Sequence, residues 1–104
     1  MKTLADFKRR LIKGVVVEKT YHLQGKLIVH GNLSATTMEA PPKTIKQRVK
    51  FAQSASVGFE LLEGPKTGDT TWLYYPKAKD FRAVDENTAE IWEDDTLILT
   101  YRFI

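Results

Sequence analysis

The chain contains no cysteine. That absence excludes a disulfide-stapled scaffold, a zinc site built on thiolates and a cysteine nucleophile. Histidine is nearly as scarce, with only His22 and His30 available. No apolar run approaches the length of a membrane-spanning helix or resembles the core of a signal peptide. A cytoplasmic location with no membrane partner is the expectation. There are four prolines, Pro41, Pro42, Pro65 and Pro76, and all fall where the apolar periodicity breaks, so they mark loops rather than element interiors.

The 104 residues are of a length that forms one domain. A chain of this size buries roughly two-thirds of its unfolded surface, so neither a metal nor a cofactor is required for folding, and none is expected. The net charge of +3 conceals an asymmetry. Residues 1–50 hold eleven Lys/Arg against three Asp/Glu, whereas residues 51–104 hold five against ten, giving +8 and −5. A basic half can mark a surface for nucleic acid or an acidic partner. Two halves of opposite sign can equally well complement each other across one domain.

Helical periodicity is confined to the N-terminus. Thr3 is a good N-cap with Asp6 three residues on, a shortened capping box. Leu4, Phe7, Leu11 and Ile12 form one apolar stripe, with Lys8, Arg9, Arg10 and Lys13 off it and Gly14 as the natural stop. A helix is therefore expected over 3–13. Beyond it the pattern has the period of strands. Val15, Val17, Tyr21 and Leu23 share a face that Lys19 interrupts, and Gln24-Gly25 could turn the chain into a second strand, Lys26 to His30. Residues 31–43 lack periodicity and are expected to be a flexible loop.

From Thr44 a meander is expected. Ile45, Val49 and Phe51 alternate with Lys46, Arg48 and Lys50, and Val57, Phe59 and Leu61 follow. The stretch 64–69 is rich in turn formers. Residues 70–75 are apolar on both faces, which suggests a central strand. Three more strands, 81–84, 89–93 and 96–103, are separated by turns at 85–88 and 94–95. The expected fold class is α+β: a short N-terminal helix, then an antiparallel β-meander of six to eight strands forming a curled sheet, a sandwich or a small barrel.

No catalytic constellation is apparent. In the expected hairpin the two histidines fall on opposite faces, so a shared metal site is not expected. The six acids between Asp85 and Asp95 lack EF-hand spacing and read as turn residues. The stretch 64–68 fails the order and spacing of a phosphate-binding loop. The most suggestive feature is Lys46, Arg48 and Lys50, extended by Lys43. Alternation gives a basic row whose spacing suits a phosphate backbone, or a solvated strand face kept charged against aggregation. Trp72, Tyr74, Tyr75 and Trp92 are candidates to stack on bases, or else core aromatics.

Three stretches carry a resemblance: residues 1–9, with Met1-Lys2-Thr3-Leu4-Ala5-Asp6-Phe7; Arg48-Val49 to Gln53-Ser54 with 72–78, Trp72 to Ala78; and Leu99 to Phe103. In these the chain resembles a loose group of small uncharacterised proteins encoded by phages and mobile genetic elements. The resemblance implies an accessory role and carries no activity over to any residue.

The sequence thus points first to a non-enzymatic binding protein that contacts a protein partner. A nucleic-acid-binding β domain using Lys43, Lys46, Arg48 and Lys50, with Trp72 and Tyr75 alongside and Lys8, Arg9 and Lys13 in support, is the alternative. A small-molecule binder or small enzyme is the third reading. An edge strand could also pair with a second copy.

Overall fold

A computed structural model describes residues 1–22 and 42–104. The capping box forms as its residues dictate. The Thr3 hydroxyl accepts from the Asp6 N–H at 3.2 Å, and the Asp6 carboxylate accepts from the N–H groups of Thr3 and Lys2 at 3.1 and 2.9 Å. Those bonds, led by the one from Lys2, together with the Arg9 guanidinium, hold the Asp6 carboxyl well below the usual carboxylate range. The helix they start, α1 (Leu4–Arg10), is shorter than the expected 3–13. Leu11 leaves helical geometry, and Gly14 at φ +94° turns the chain into the sheet, its N–H donating to the Val49 carbonyl at 2.9 Å. Gly14 therefore serves the turn into the first strand rather than the helix cap, and Ile12 is exposed rather than part of the apolar stripe.

Seven strands follow among the described residues: β1 (Val16–Tyr21), β2 (Lys43–Ala52), β3 (Ser56–Leu61), β4 (Thr70–Tyr74), β5 (Phe81–Ala83), β6 (Thr88–Glu93) and β7 (Thr96–Phe103). All their pairings are antiparallel, in the order β4-β3-β2-β1-β7-β6-β5. The architecture is α+β, a helix with a curled sheet that makes a half-barrel. Two three-stranded meanders flank β1, which has β2 on one side and β7 on the other. Lys19 accordingly lies opposite Ile45 and Tyr101. The expected hairpin partner at 26–30 and most of the expected loop at 31–43 lie outside the described residues; Lys43, the last residue of that loop, already belongs to β2.

Chain connectivity requires the curl. Laid flat, seven strands would span about 29 Å at about 4.8 Å per step. β4 and β5 are the two edges, and the residues from Tyr74 to Phe81 that join them reach about 25 Å fully extended. Three of those residues are wound into a 3₁₀ turn, Ala78–Asp80, which shortens the reach further. The edges must approach each other, and Phe7 from α1 sits between them. Its ring lies 6.3 Å from that of Tyr75 just past β4, 5.4 Å from Phe81 on β5, and 5.6 and 5.9 Å from Tyr101 and Phe103. Phe59 and Tyr101 stack at 5.7 Å although β2 and β1 separate their strands, as only a strongly curved sheet allows.

The concave face and α1 share one apolar core: Phe7, Leu11, Val17, Val49, Val57, Phe59, Leu73, Phe81, Ala89, Ile91, Tyr101 and Phe103. One expectation is reversed. The 70–75 segment is not a central strand, because β4 is an edge strand with Tyr74 76% exposed on the outer face. Its apolar residues on two faces reflect a core side at Leu73 and an uncovered aromatic side at Trp72 and Tyr74.

Candidate functional site

The convex face of β2, β3 and β4 carries most of the residues that the sequence singles out. Lys46 and Arg48 point outward there, but the register interleaves them with acids. Lys46 lies opposite Glu18, and Arg48 lies opposite Glu60. Glu18 also accepts from Arg102 at 2.7 Å. Lys43 does not extend this row. It stands an odd number of positions from Lys46, pairs with Tyr21, and so belongs to the other face.

A register shift between Val49 and Phe51 then changes which side chains are exposed. Phe51, assigned to the core face by simple alternation, lies opposite Gly58 instead and turns outward. There its ring stacks on Trp72 with centroids 5.7 Å apart and planes within 6°. Both rings remain more than two-fifths exposed. They meet over Gly58, where a Cβ would come within 3.1 Å of Phe51 and 3.2 Å of Trp72, so the missing side chain is what lets them close. Tyr74 continues the row along the edge strand, and the Lys50 ammonium lies 5.4 Å from the centre of the Phe51 ring. Tyr75 is not part of this platform. It is half-buried against Phe7 with the Lys8 ammonium 4.9 Å from its ring centre, and burial pushes its phenol up. Trp92 lies elsewhere, 4.2 Å from the Arg82 guanidinium and donating to Glu90 at 3.2 Å.

No protein-family model matches the chain, and neither a curated protein nor a solved structure matches it. The reading of the site therefore rests on its own chemistry.

Sequence reasoning missed a second group, on the concave face. Lys19 is 3% exposed and Gln47 is fully buried. Among the described residues, both amide atoms of Gln47 and the Tyr101 hydroxyl lack a hydrogen-bond partner. The Lys19 ammonium lies 4.7 Å from the ring centre of Tyr21 and 5.4 Å from that of Tyr101. Burial lowers the Lys19 pKa and raises that of Tyr101 well above an ordinary phenol. Burial also pushes the Tyr21 phenol up, but opposing contributions led by the nearby Lys19 charge leave a net downward shift. The signal was present in the sequence: Lys19 interrupts an apolar face, and Gln47 shares parity with Ile45 and Val49.

Among the described residues no three His, Asp or Glu side chains converge to hold a metal ion. His22 bonds Thr100 at 2.7 Å. Nor is any helix among them long and apolar enough to cross a membrane.

Proposed function

We propose that this chain is a non-enzymatic binding protein that engages a protein partner through the convex patch of Phe51, Trp72 and Tyr74, bordered by Arg48 and Lys50. In this reading it acts in the cytoplasm, in the accessory role that the resemblance to phage and mobile-element proteins implies. The observation that carries the reading is the exposed Phe51–Trp72 stack closed over Gly58. Exposed Trp, Tyr and Arg side chains in one cluster have the composition of interface hot spots. The cluster adjoins an edge strand with no neighbour on its outer side among the described residues, so a partner strand could add beside β4.

The same patch raises a second reading. Stacked rings beside Lys50 suit single-stranded nucleic acid, whose bases stack on aromatic platforms. The interleaving of Lys46 and Arg48 with Glu18 and Glu60 weighs against it, because a phosphate chain along β2 would meet carboxylates at each step.

The double variant Trp72→Ala/Tyr74→Ala separates the outcomes. Both side chains are exposed, so the fold should survive, as circular dichroism would verify. A partner protein captured by the parent should be lost by the double variant and kept by Lys79→Ala, an exposed control. A partner that stays bound to the double variant overturns the site. Labelled single strands that bind the parent tightly at about 50 mM salt and dissociate at about 200 mM would favour the nucleic-acid reading instead.

A further inference from the structure

Among the described residues, the concave face is closed unequally at its two ends. At one end α1 covers it, with Phe7 and Leu11 packed on Val17, Val49 and Phe103. At the other end, where β1 finishes and β2 begins, a groove of about 410 Å³ opens among Tyr21, Lys43, Ile45, Leu61, Lys66, Asp69, Thr70 and Thr71. It continues past Lys43 and Lys66 along the 63–66 turn as a second hollow of about 390 Å³. Volumes of this order hold small molecules.

The groove carries more basic than acidic side chains. Lys43 and Lys66 line it against a single acid, Asp69. Glu63, on the adjoining hollow, is engaged by the Lys46 backbone N–H at 2.9 Å. Beside Tyr21 lies the Lys19 ammonium, with no carboxylate in ion-pair range among the described residues. Ile45, Leu61 and the Tyr21 ring supply apolar surface. We propose that this open end is a binding site for a small organic anion, its apolar body against Ile45, Leu61 and Tyr21 and its charged head taken up by Lys43 and Lys66.

Two further observations support the assignment. The Lys19 ammonium, 4.7 Å from the ring centre of Tyr21, places a buried cation beside a residue that lines the groove, in keeping with the downward shift of the Tyr21 phenol. Gln47 and Lys19 are buried polar side chains on the same concave face, and both Gln47 amide atoms lack a partner among the described residues. Buried polar groups that the surrounding packing leaves unpartnered concentrate at functional or strained sites. The site lies on the face opposite to the Phe51–Trp72 patch, and neither proposal depends on the other.

Octanoate is a suitable probe, with 1-octanol and octylammonium as its neutral and cationic counterparts. Titrated into ¹⁵N-labelled full-length protein, octanoate should give saturable shifts at the amides of Tyr21, Ile45, Leu61 and Thr71. Octanol should bind at least about tenfold more weakly, and octylammonium should give none of these shifts. The exposed double variant Lys43→Ser/Lys66→Ser should weaken octanoate about tenfold or more, as expected for loss of charge-assisted contacts, while Trp72→Ala leaves it unchanged. Gln47→Leu should raise the melting midpoint. Absence of saturation at millimolar octanoate, or octanol binding as tightly as octanoate, overturns the proposal. A Gln47→Leu variant that melts lower than the parent would make Gln47 a structural residue and remove that support.

Discussion

At the scale of single residues, two positions carry side chains, or lack them, for reasons that packing alone does not supply. Gly58 leaves the space in which Phe51 and Trp72 meet. Its φ is not positive, so alanine fits the backbone there and reduces unfolded-state entropy, worth about 0.4–1 kcal/mol. Shifting two exposed rings by a few tenths of an ångström opposes that gain. Gly58→Ala is therefore expected to leave the urea midpoint nearly unchanged while displacing the Trp72 emission maximum, because the ring stack opens. Lys19 is the second position. Burial depresses its pKa, so between that lowered value and the ordinary 10.5 the unfolded chain binds more protons than the folded one. Its contribution is thus most favourable above pH 10.5 and is lost as pH falls through the lowered value. Urea titrations at a series of pH values should show stability rising through that window in the parent, and Lys19→Met should abolish the rise. Tyr101 acts in the opposite sense: its raised pKa removes stability only as pH climbs above 10.

At the scale of elements, α1 is a seven-residue helix, too short to persist alone. It survives because its first turn is capped and one face is buried at Phe7. Thr3→Ala removes the bond to the Asp6 N–H, a loss of about 0.5–2 kcal/mol. In a domain of this size each kcal/mol moves the thermal midpoint by about 4–8 °C, so calorimetry should show a drop of several degrees. The bulge in β2 matters as much as any cap. It leaves Val49 in the core and delivers Phe51 to the surface two residues later, so one strand serves both the fold and the convex patch.

At the scale of the whole molecule, the half-barrel closes on an aromatic contact set rather than on a hydrogen-bond ladder between its edges. The two edge strands do not pair with each other, and Phe7 fills the gap between Tyr75 and Phe81. Removing a buried phenylalanine costs about 3–5 kcal/mol, against a total stability of about 5–15 kcal/mol for a domain. Phe7→Ala is expected to remove a fifth or more of the stability, whereas Phe51→Ala, exposed on the other face, should cost far less. Urea denaturation of the two variants side by side checks this ordering.

The capped N-terminal helix, the strands from Thr44 onward, the turns between them and the α+β class were all legible in the sequence, because periodicity, caps and turn residues act over a few neighbours. Only the tertiary structure decided that β1 lies between two meanders, that the strand holding Trp72 is an edge, that Lys43 parts from Lys46 and Arg48, and that Lys19 and Gln47 are buried. Each of those depends on pairing between distant residues. In a strand a one-residue shift exchanges inner for outer face, so the bulge before Phe51 moved an aromatic ring from the expected core to the surface. The curl was likewise set by closure: a short connector had to bring two sheet edges together around Phe7.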